Sequence, residues 1–224
     1  MSKTLKILMI DDHPMIIEGY KSILSFNSLG YQIETTDALN CKDAYNIISE
    51  IKSPEDFDLV FLDLSLPPYE EKGIHSGEDL ALLLRKKCRE LKIIILTSHA
   101  EGFLLYNLKK KVNPEGLLVK SDFSAEDLLV AFEKIIEGEI YETKTVTEAI
   151  EEIANSGKNT LLDEINREII VLLSKGVLTK SLPAHFNLSI STIDKRKAQI
   201  REYFLLEKGT DEDIVNEARK HGFI

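Results

Sequence analysis

Five short apolar runs recur along the first 120 residues, and no other feature constrains the fold of this chain as tightly. They are Leu5–Ile10, Tyr31–Thr36, Phe57–Leu62, Ile93–Leu96 and Leu117–Val119, and their composition favours buried extended chain. Amphipathic stretches follow them at about 14–26, 40–52, 76–90, 101–112 and 124–137. Their apolar residues fall three or four apart, as in Leu80, Leu83 and Leu84 and in Leu128, Phe132, Ile135 and Ile136. Strand then helix, five times over, predicts an α/β fold, a (βα)5 doubly wound parallel sheet, because parallel strands are joined by right-handed crossovers.

The last third loses this alternation. Helices are expected at about 161–174, 178–186, 190–205 and 211–221, with Gly176, Gly209 and Gly222 marking ends, so a small all-α domain follows the sheet. The polar stretch 138–159 ends in Asn155-Ser156-Gly157-Lys158-Asn159 and reads as a linker, although Val146–Ile153 can extend a helix. The expected organisation is 1–137, 138–159 and 160–224.

Composition removes whole classes. At 43% hydrophobic residues the chain can build packed cores, while no apolar run approaches the roughly 18 residues of a membrane helix. A cytoplasmic protein with no membrane partner is expected. Cys41 and Cys88 form no CxxC pair and are expected to be reduced and chemically idle. The five histidines show no metal spacing, which argues against zinc. Charge is uneven: residues 1–157 carry 17 Lys and Arg against 28 Asp and Glu, whereas 158–224 carry 11 against 10. Lys180, Lys195, Arg196, Lys197 and Arg201 face only Asp194 within 180–201, a cationic patch that permits nucleic-acid binding.

In an open parallel sheet, functional groups collect beyond the carboxyl ends of the strands. Here those residues are Asp11-Asp12, Asp63, Thr97-Ser98 and Lys120. Clustered carboxylates repel one another, and a hard dication such as Mg2+ compensates them. A carboxylate in that setting can attack phosphorus, with Lys120 neutralising phosphoryl oxygens, Thr97 donating a hydrogen bond to one, and small Ser98 leaving room. Singly, each residue has a plainer use: a helix cap for Asp11-Asp12, a turn for Asp63, an exposed strand end for Lys120.

In order, Ile10-Asp11-Asp12-His13-Pro14, Asp63-Leu64-Ser65-Leu66-Pro67, Leu96-Thr97-Ser98 and Gly116-Leu117-Leu118-Val119-Lys120-Ser121 resemble the receiver domain of two-component response regulators over about residues 4–137. The resemblance implies that Asp63 accepts a phosphoryl group from a sensor histidine kinase. It further implies that Asp11, Asp12, Asp63 and the Ser65 carbonyl hold Mg2+, and that Thr97 and Lys120 read the result. Two departures stand out. Leu117 occupies a position usually aromatic or His, and residues 68–75 read as an insertion of about six residues that displaces the glycine expected four residues after Pro67. That insertion is either a tolerated surface loop or a lid or partner contact tuning phosphoryl lifetime.

At the C-terminal end, Ser189 is placed to cap a helix in which Ile193, Ile200 and Phe204 share one face. Lys195, Ala198, Gln199 and Glu202 lie opposite, with Arg196 and Arg201 flanking. A helix, a tight turn and a second helix with a polar, basic outer face have the form of a major-groove reader. The string from Gly176 to Ile193, with the tail Ile214 to Ile224, resembles the LuxR/FixJ (NarL) type of helix-turn-helix over about 160–224. The resemblance implies binding of double-stranded DNA through Lys180, Ser191, Thr192, Lys195, Arg196, Gln199 and Arg201, and a homodimer on phosphorylation paired through the fourth helix. Asp194 stands where a basic residue is usual, Pro183 replaces a small residue, and Arg196 replaces a His.

The expected function is therefore a phosphorylation-controlled transcription regulator rather than an enzyme. One alternative is a phospho-switched adaptor whose helical end dimerises or binds protein, which Asp194 favours. A haloacid-dehalogenase-type phosphatase would need a second Asp two residues after the nucleophile, where Ser65 stands.

Overall fold

A computed structural model describes residues 3–53, 55–155, 162–204, 206, 209–220 and 223–224. Residues 156–159 of the expected linker, with His221 and Gly222, fall outside them. The described chain divides into two compact units, one built on a sheet and one of helices alone.

The first unit holds all five expected strands: β1 (Thr4–Ile10), β2 (Gln32–Ala38), β3 (Leu59–Asp63), β4 (Lys92–Thr97) and β5 (Gly116–Val119). All pair in parallel, in the order β2-β1-β3-β4-β5, which puts the ends of β1 and β3 side by side where the winding reverses. Helices α1 (Pro14–Leu24), α2 (Cys41–Glu50), α3 (Gly77–Lys87), α4 (Gly102–Val112) and α5 (Ala125–Ile136) connect or follow the strands. Their starts are written locally. Pro14 opens α1, the Asn40 side chain accepts the Asp43 N–H for α2, Ser76 accepts the Glu78 N–H for α3, and Ser124 with Asp127 forms a capping box for α5.

Alternation along the strands splits the core into two faces. Leu5, Ile7, Met9, Phe61, Leu96 and Leu118 pack with Ile17 and Leu24 of α1 and with Leu128, Phe132 and Ile135 of α5. Leu8, Ile10, Val60, Leu62, Ile95 and Leu117 alternate with them and are equally buried.

The expected linker carries structure that its composition did not announce. β6 (Tyr141–Glu142) adds a sixth parallel strand beside β5, and α6 (Lys144–Asn155) follows at once. The Tyr141 N–H donates to the Glu115 carbonyl at 2.9 Å and the Thr143 N–H to the Leu117 carbonyl at 3.2 Å. Two residues are too few to carry a period-two signal; the open edge of β5 supplies the backbone partners, and Tyr141 packs against the core of the sheet unit.

The stretch between β3 and α3 leaves the sheet and closes on itself. Tyr69 and Ile74 exchange backbone hydrogen bonds of 2.7 and 3.2 Å around a 3-10 turn at Glu70–Lys72, and Gly73 turns there at φ 65°. The Pro67 carbonyl accepts the Cys41 N–H at 3.2 Å, and Tyr69 meets Tyr45 of α2 edge to face at 5.8 Å. This excursion is anchored on α2 and folded back on itself, with Ile74 buried.

In the second unit α7 (Glu164–Ser174), α8 (Leu182–Phe186), α9 (Ile190–Tyr203) and α10 (Asp211–Lys220) surround Ile169, Ile170, Leu182, Ile193, Ile200, Ile214 and Ala218. Asn187, at φ 52°, turns the chain from α8, and the Ser189 side chain accepts the Thr192 N–H to start α9.

Candidate functional site

The sheet brings Asp11, Asp63, Thr97 and Lys120 to one end because each closes or directly follows a parallel strand. Asp11 and Asp63 are 3% exposed and Thr97 is fully buried. Lys120 Nζ donates to Asp11 Oδ2 and to Asp63 Oδ2, both at 2.9 Å. The Lys120 N–H donates to the Thr97 carbonyl at 2.7 Å, which ties the end of β5 to the end of β4. Thr97 Oγ1 accepts the His99 N–H at 3.0 Å, and Asp63 Oδ1 accepts the Ser65 N–H at 3.3 Å.

One ammonium faces two buried carboxylates, and the electrostatics follow. Burial pushes the Asp63 carboxyl above its ordinary range, with Asp11 adding to the effect and Lys120 and the Ser65 N–H opposing it. Burial also draws Lys120 down, but its bonds to Asp63 and Asp11 outweigh that and hold its pKa above the usual lysine value. Nearby, Tyr20 stacks on Phe61 at 6.0 Å, and burial pushes its phenol up to about 12, so it stays protonated at neutral pH.

Oxygens of Asp11, Asp12 and Asp63 and a ring nitrogen of His13 all lie within 4.8 Å of one another. Among the described residues, Asp12 Oδ1 is buried yet accepts no hydrogen bond; His13 Nδ1 stands 2.7 Å from it without hydrogen-bond alignment. An oxygen of this kind fits a hard divalent cation. His13, set aside on spacing alone, belongs to the group, and its Nδ1 is 3.2 Å from Asp11 Oδ1.

Of the two glycines that follow Pro67, Gly73 and Gly77, it is Gly77 that packs beside Asp63. Its N–H donates to the Leu64 carbonyl at 3.0 Å, and a Cβ built there would lie 2.1 Å from the Asp63 carbonyl oxygen. The close-packed glycine beside Asp63 is present after all, displaced along the chain by the insertion, and the sequence signal was the pair Ser76-Gly77 at a helix start.

The expected DNA-facing residues separate into two sets. Lys180, Ser191 and Lys195 are exposed, and Thr192 and Arg201 are half-buried. Arg196 and Gln199 turn to internal partners instead. Arg196 donates to both oxygens of Asp163 at 2.7 Å and to Asn166 Oδ1 at 3.0 Å, while Gln199 Oε1 accepts from the buried Asn166 amide at 3.3 Å. A buried asparagine needs its partners, and these two side chains provide them. Lys197 is 9% exposed, donates to Thr179 Oγ1 at 2.7 Å and pairs with Asp211. Burial raises the Asp211 carboxyl, and the bonds from Lys197 and Thr179 outweigh it, leaving the group below its usual range.

Comparison with known proteins agrees with this geometry. Residues 7–133 match the family model described as the response regulator receiver domain. The oxygen regulatory protein NreC of Staphylococcus aureus is 27% identical over 206 residues, covering 88% of this chain and 89% of that protein. Among solved structures, RcsB of Salmonella enterica serovar Typhimurium, bound to a promoter in the presence of phosphomimetic BeF3-, aligns with a TM-score of 0.65 at 21% identity over 95% of this chain and 97% of that one. The isolated REC domain of the same protein aligns with a TM-score of 0.56 at 19% identity, over 66% of this chain and 99% of that one. At these identities the structural likeness is one of fold.

Proposed function

This chain belongs to the response regulator receiver family, and from that premise we propose that a sensor histidine kinase phosphorylates Asp63 and thereby governs binding of the C-terminal helices to double-stranded DNA. The observation that carries the reading is the buried Asp63 carboxylate held against Lys120 and Asp11 at the reversal point of the sheet. The receiver is assigned to 1–137 and the DNA-binding domain to 160–224. Residues 138–159 connect them through β6 and α6. A cytoplasmic protein, dimeric through α10 when phosphorylated, completes the reading.

In the transfer, an Asp63 oxygen attacks phosphorus, the phosphorus–nitrogen bond of the phosphohistidine breaks, and the imidazole leaves with the electron pair and takes up a proton. Lys120 supplies positive charge to the phosphoryl oxygens, and the Thr97 hydroxyl donates to one of them. Asp11, Asp12, Asp63 and the Ser65 carbonyl would hold Mg2+, which when bound supplies charge against both carboxylates and phosphoryl oxygens. The chain modifies its own side chain rather than turning over a substrate, so it acts as a switch and not as an enzyme.

Lys180, Lys195 and Arg201, with Ser191 and Thr192, form the surface offered to DNA. Exposed Asp194 and the internal engagement of Arg196 and Gln199 favour a second reading, an adaptor whose helical unit binds protein. Affinity selection of fragmented genomic DNA on the full chain, with and without Mg2+ and beryllofluoride at stated salt, separates the two. Fragments sharing a motif and enriched further by beryllofluoride are expected. No enrichment in either state turns the reading to the adaptor.

A further inference from the structure

We propose that Asp122, Thr143 and Thr145 form a joint that positions Lys120 and delivers its displacement to α6, the helix by which the chain leaves the sheet. The inference rests on the reading of Asp63 as phosphoacceptor, since only a group arriving at Asp63 displaces Lys120.

Lys120 stands at the end of β5, and its neighbours Val119 and Asp122 are hydrogen-bonded to the segment that starts α6. The Val119 N–H donates to Thr143 Oγ1 at 3.2 Å, and Thr143 is 4% exposed. Two residues beyond Lys120, Asp122 Oδ2 accepts the Thr145 N–H at 2.8 Å, and Asp122 Oδ1 accepts the Thr145 hydroxyl at 2.9 Å. Thr145 lies in the first turn of α6, where N–H groups lack partners within the helix. A carboxylate from the loop after Lys120 therefore caps α6, and its charge also favours that end of the helix. Lys109, in the last turn of α4, pairs with Glu142 of β6 at 2.8 Å, so the segment is held from both sides.

On its other side Lys120 is bound to the Thr97 carbonyl. A phosphoryl group on Asp63 takes the place of the 2.9 Å contact between Asp63 and Lys120, so the ammonium moves and its stem draws on the 120–122 backbone behind it. Besides running on into α5, the loop 120–122 is bonded through Asp122 to the start of α6, and this attachment carries the movement to the segment that leaves the sheet. The joint has no slack: Val119, Thr143, Asp122 and Thr145 are linked by direct bonds, with no long flexible side chain between them. Coupling of this kind is reciprocal, so the state of α6 must also act on Lys120.

The test is hydrogen exchange of the full chain, read over residues 116–121 and 143–150, with and without Mg2+ and beryllofluoride. In the unaltered protein both windows are expected to change severalfold. In the double variant Asp122→Asn with Thr145→Val, the change over 116–121 persists and that over 143–150 disappears, each measured against the variant's own baseline. Thr145→Ser restores the hydroxyl and should restore the response. Thr143→Val, which keeps the branched shape and loses the hydroxyl that accepts the Val119 N–H, gives a second uncoupling. A merely structural role would raise baseline exchange and leave the beryllofluoride response intact, which overturns the proposal. So does a response over 116–121 with 143–150 silent in the unaltered protein. Silence in both windows refutes the phosphoacceptor reading itself, and the joint with it.

Discussion

Asp63 is costly to keep ionised. Its carboxyl is shifted upward mainly by burial, so the folded state binds its proton more tightly than the unfolded chain does. The sign follows. The penalty is absent below the unfolded value of about 3.9, grows as pH rises towards the folded value, and is complete above it. Asp63→Asn should therefore raise the melting temperature of the Mg2+-free protein at pH 7, with the gain shrinking as pH approaches 4. The same variant should take no label from a small phosphodonor; thermal scans across pH and a labelling assay check both. Gly77 makes the opposite case. A methyl group there meets backbone 2.1 Å away, so Gly77→Ala should cost about 1–3 kcal/mol in denaturant unfolding and slow labelling of Asp63. Motif order along the chain made Asp11, Asp63, Thr97 and Lys120 legible. Gly77 was legible only as one of two glycines, with Gly73, because its role is a steric approach across an insertion, and spacing rules do not count across insertions.

Helix α9 shows where one-dimensional patterning succeeds and where it stops. Ile193, Ile200 and Phe204 face the core as their spacing requires. Lys197 lies between them, four residues after Ile193, a spacing that turns it to the core side, whereas its charge assigned it to the cationic patch. Its stem is buried while the ammonium reaches Asp211, the behaviour of a long amphipathic side chain. Arg196 was harder to place, since Asp163 and Asn166 come from another helix. The distinction is measurable. Arg196→Ala should lower stability by about 1 kcal/mol through loss of its Asp163 pair, whereas Lys195→Ala should leave the melting temperature unchanged. Lys195→Ala should weaken DNA binding and reduce its log-salt slope by about 1. Strand β6 and its junction with α6 were illegible for a different reason: a two-residue strand is too short to show a period, and it joins the sheet because the edge of β5 is open and Tyr141 finds the core.

Charge is distributed by unit, and so are the responses to solution conditions. The acidic first 157 residues hold the carboxylate cluster, while the helical unit is nearly neutral with exposed Lys180 and Lys195. Calorimetry of the full chain should resolve two transitions, of which only the sheet unit's moves with Mg2+. A cation present at about 100 times its dissociation constant should stabilise that unit by about 2.7 kcal/mol, and chelation should reverse the shift. Asp12→Asn should abolish most of it. Movement of both transitions together would show that the units melt as one.

The excursion between β3 and α3 has a consequence for how this protein could be altered. The Leu64 carbonyl and the Gly77 N–H are bonded to each other, so the chain departs from the sheet and returns to it at one place. Everything between is a parenthesis in the fold: its length does not enter the distance between β3 and α3. Closing a longer loop there costs only about 0.6 kcal/mol per doubling. A reporter group or a binding peptide could be written into residues 69–74, within one loop of Asp63, and the strands would pair in the same register as before.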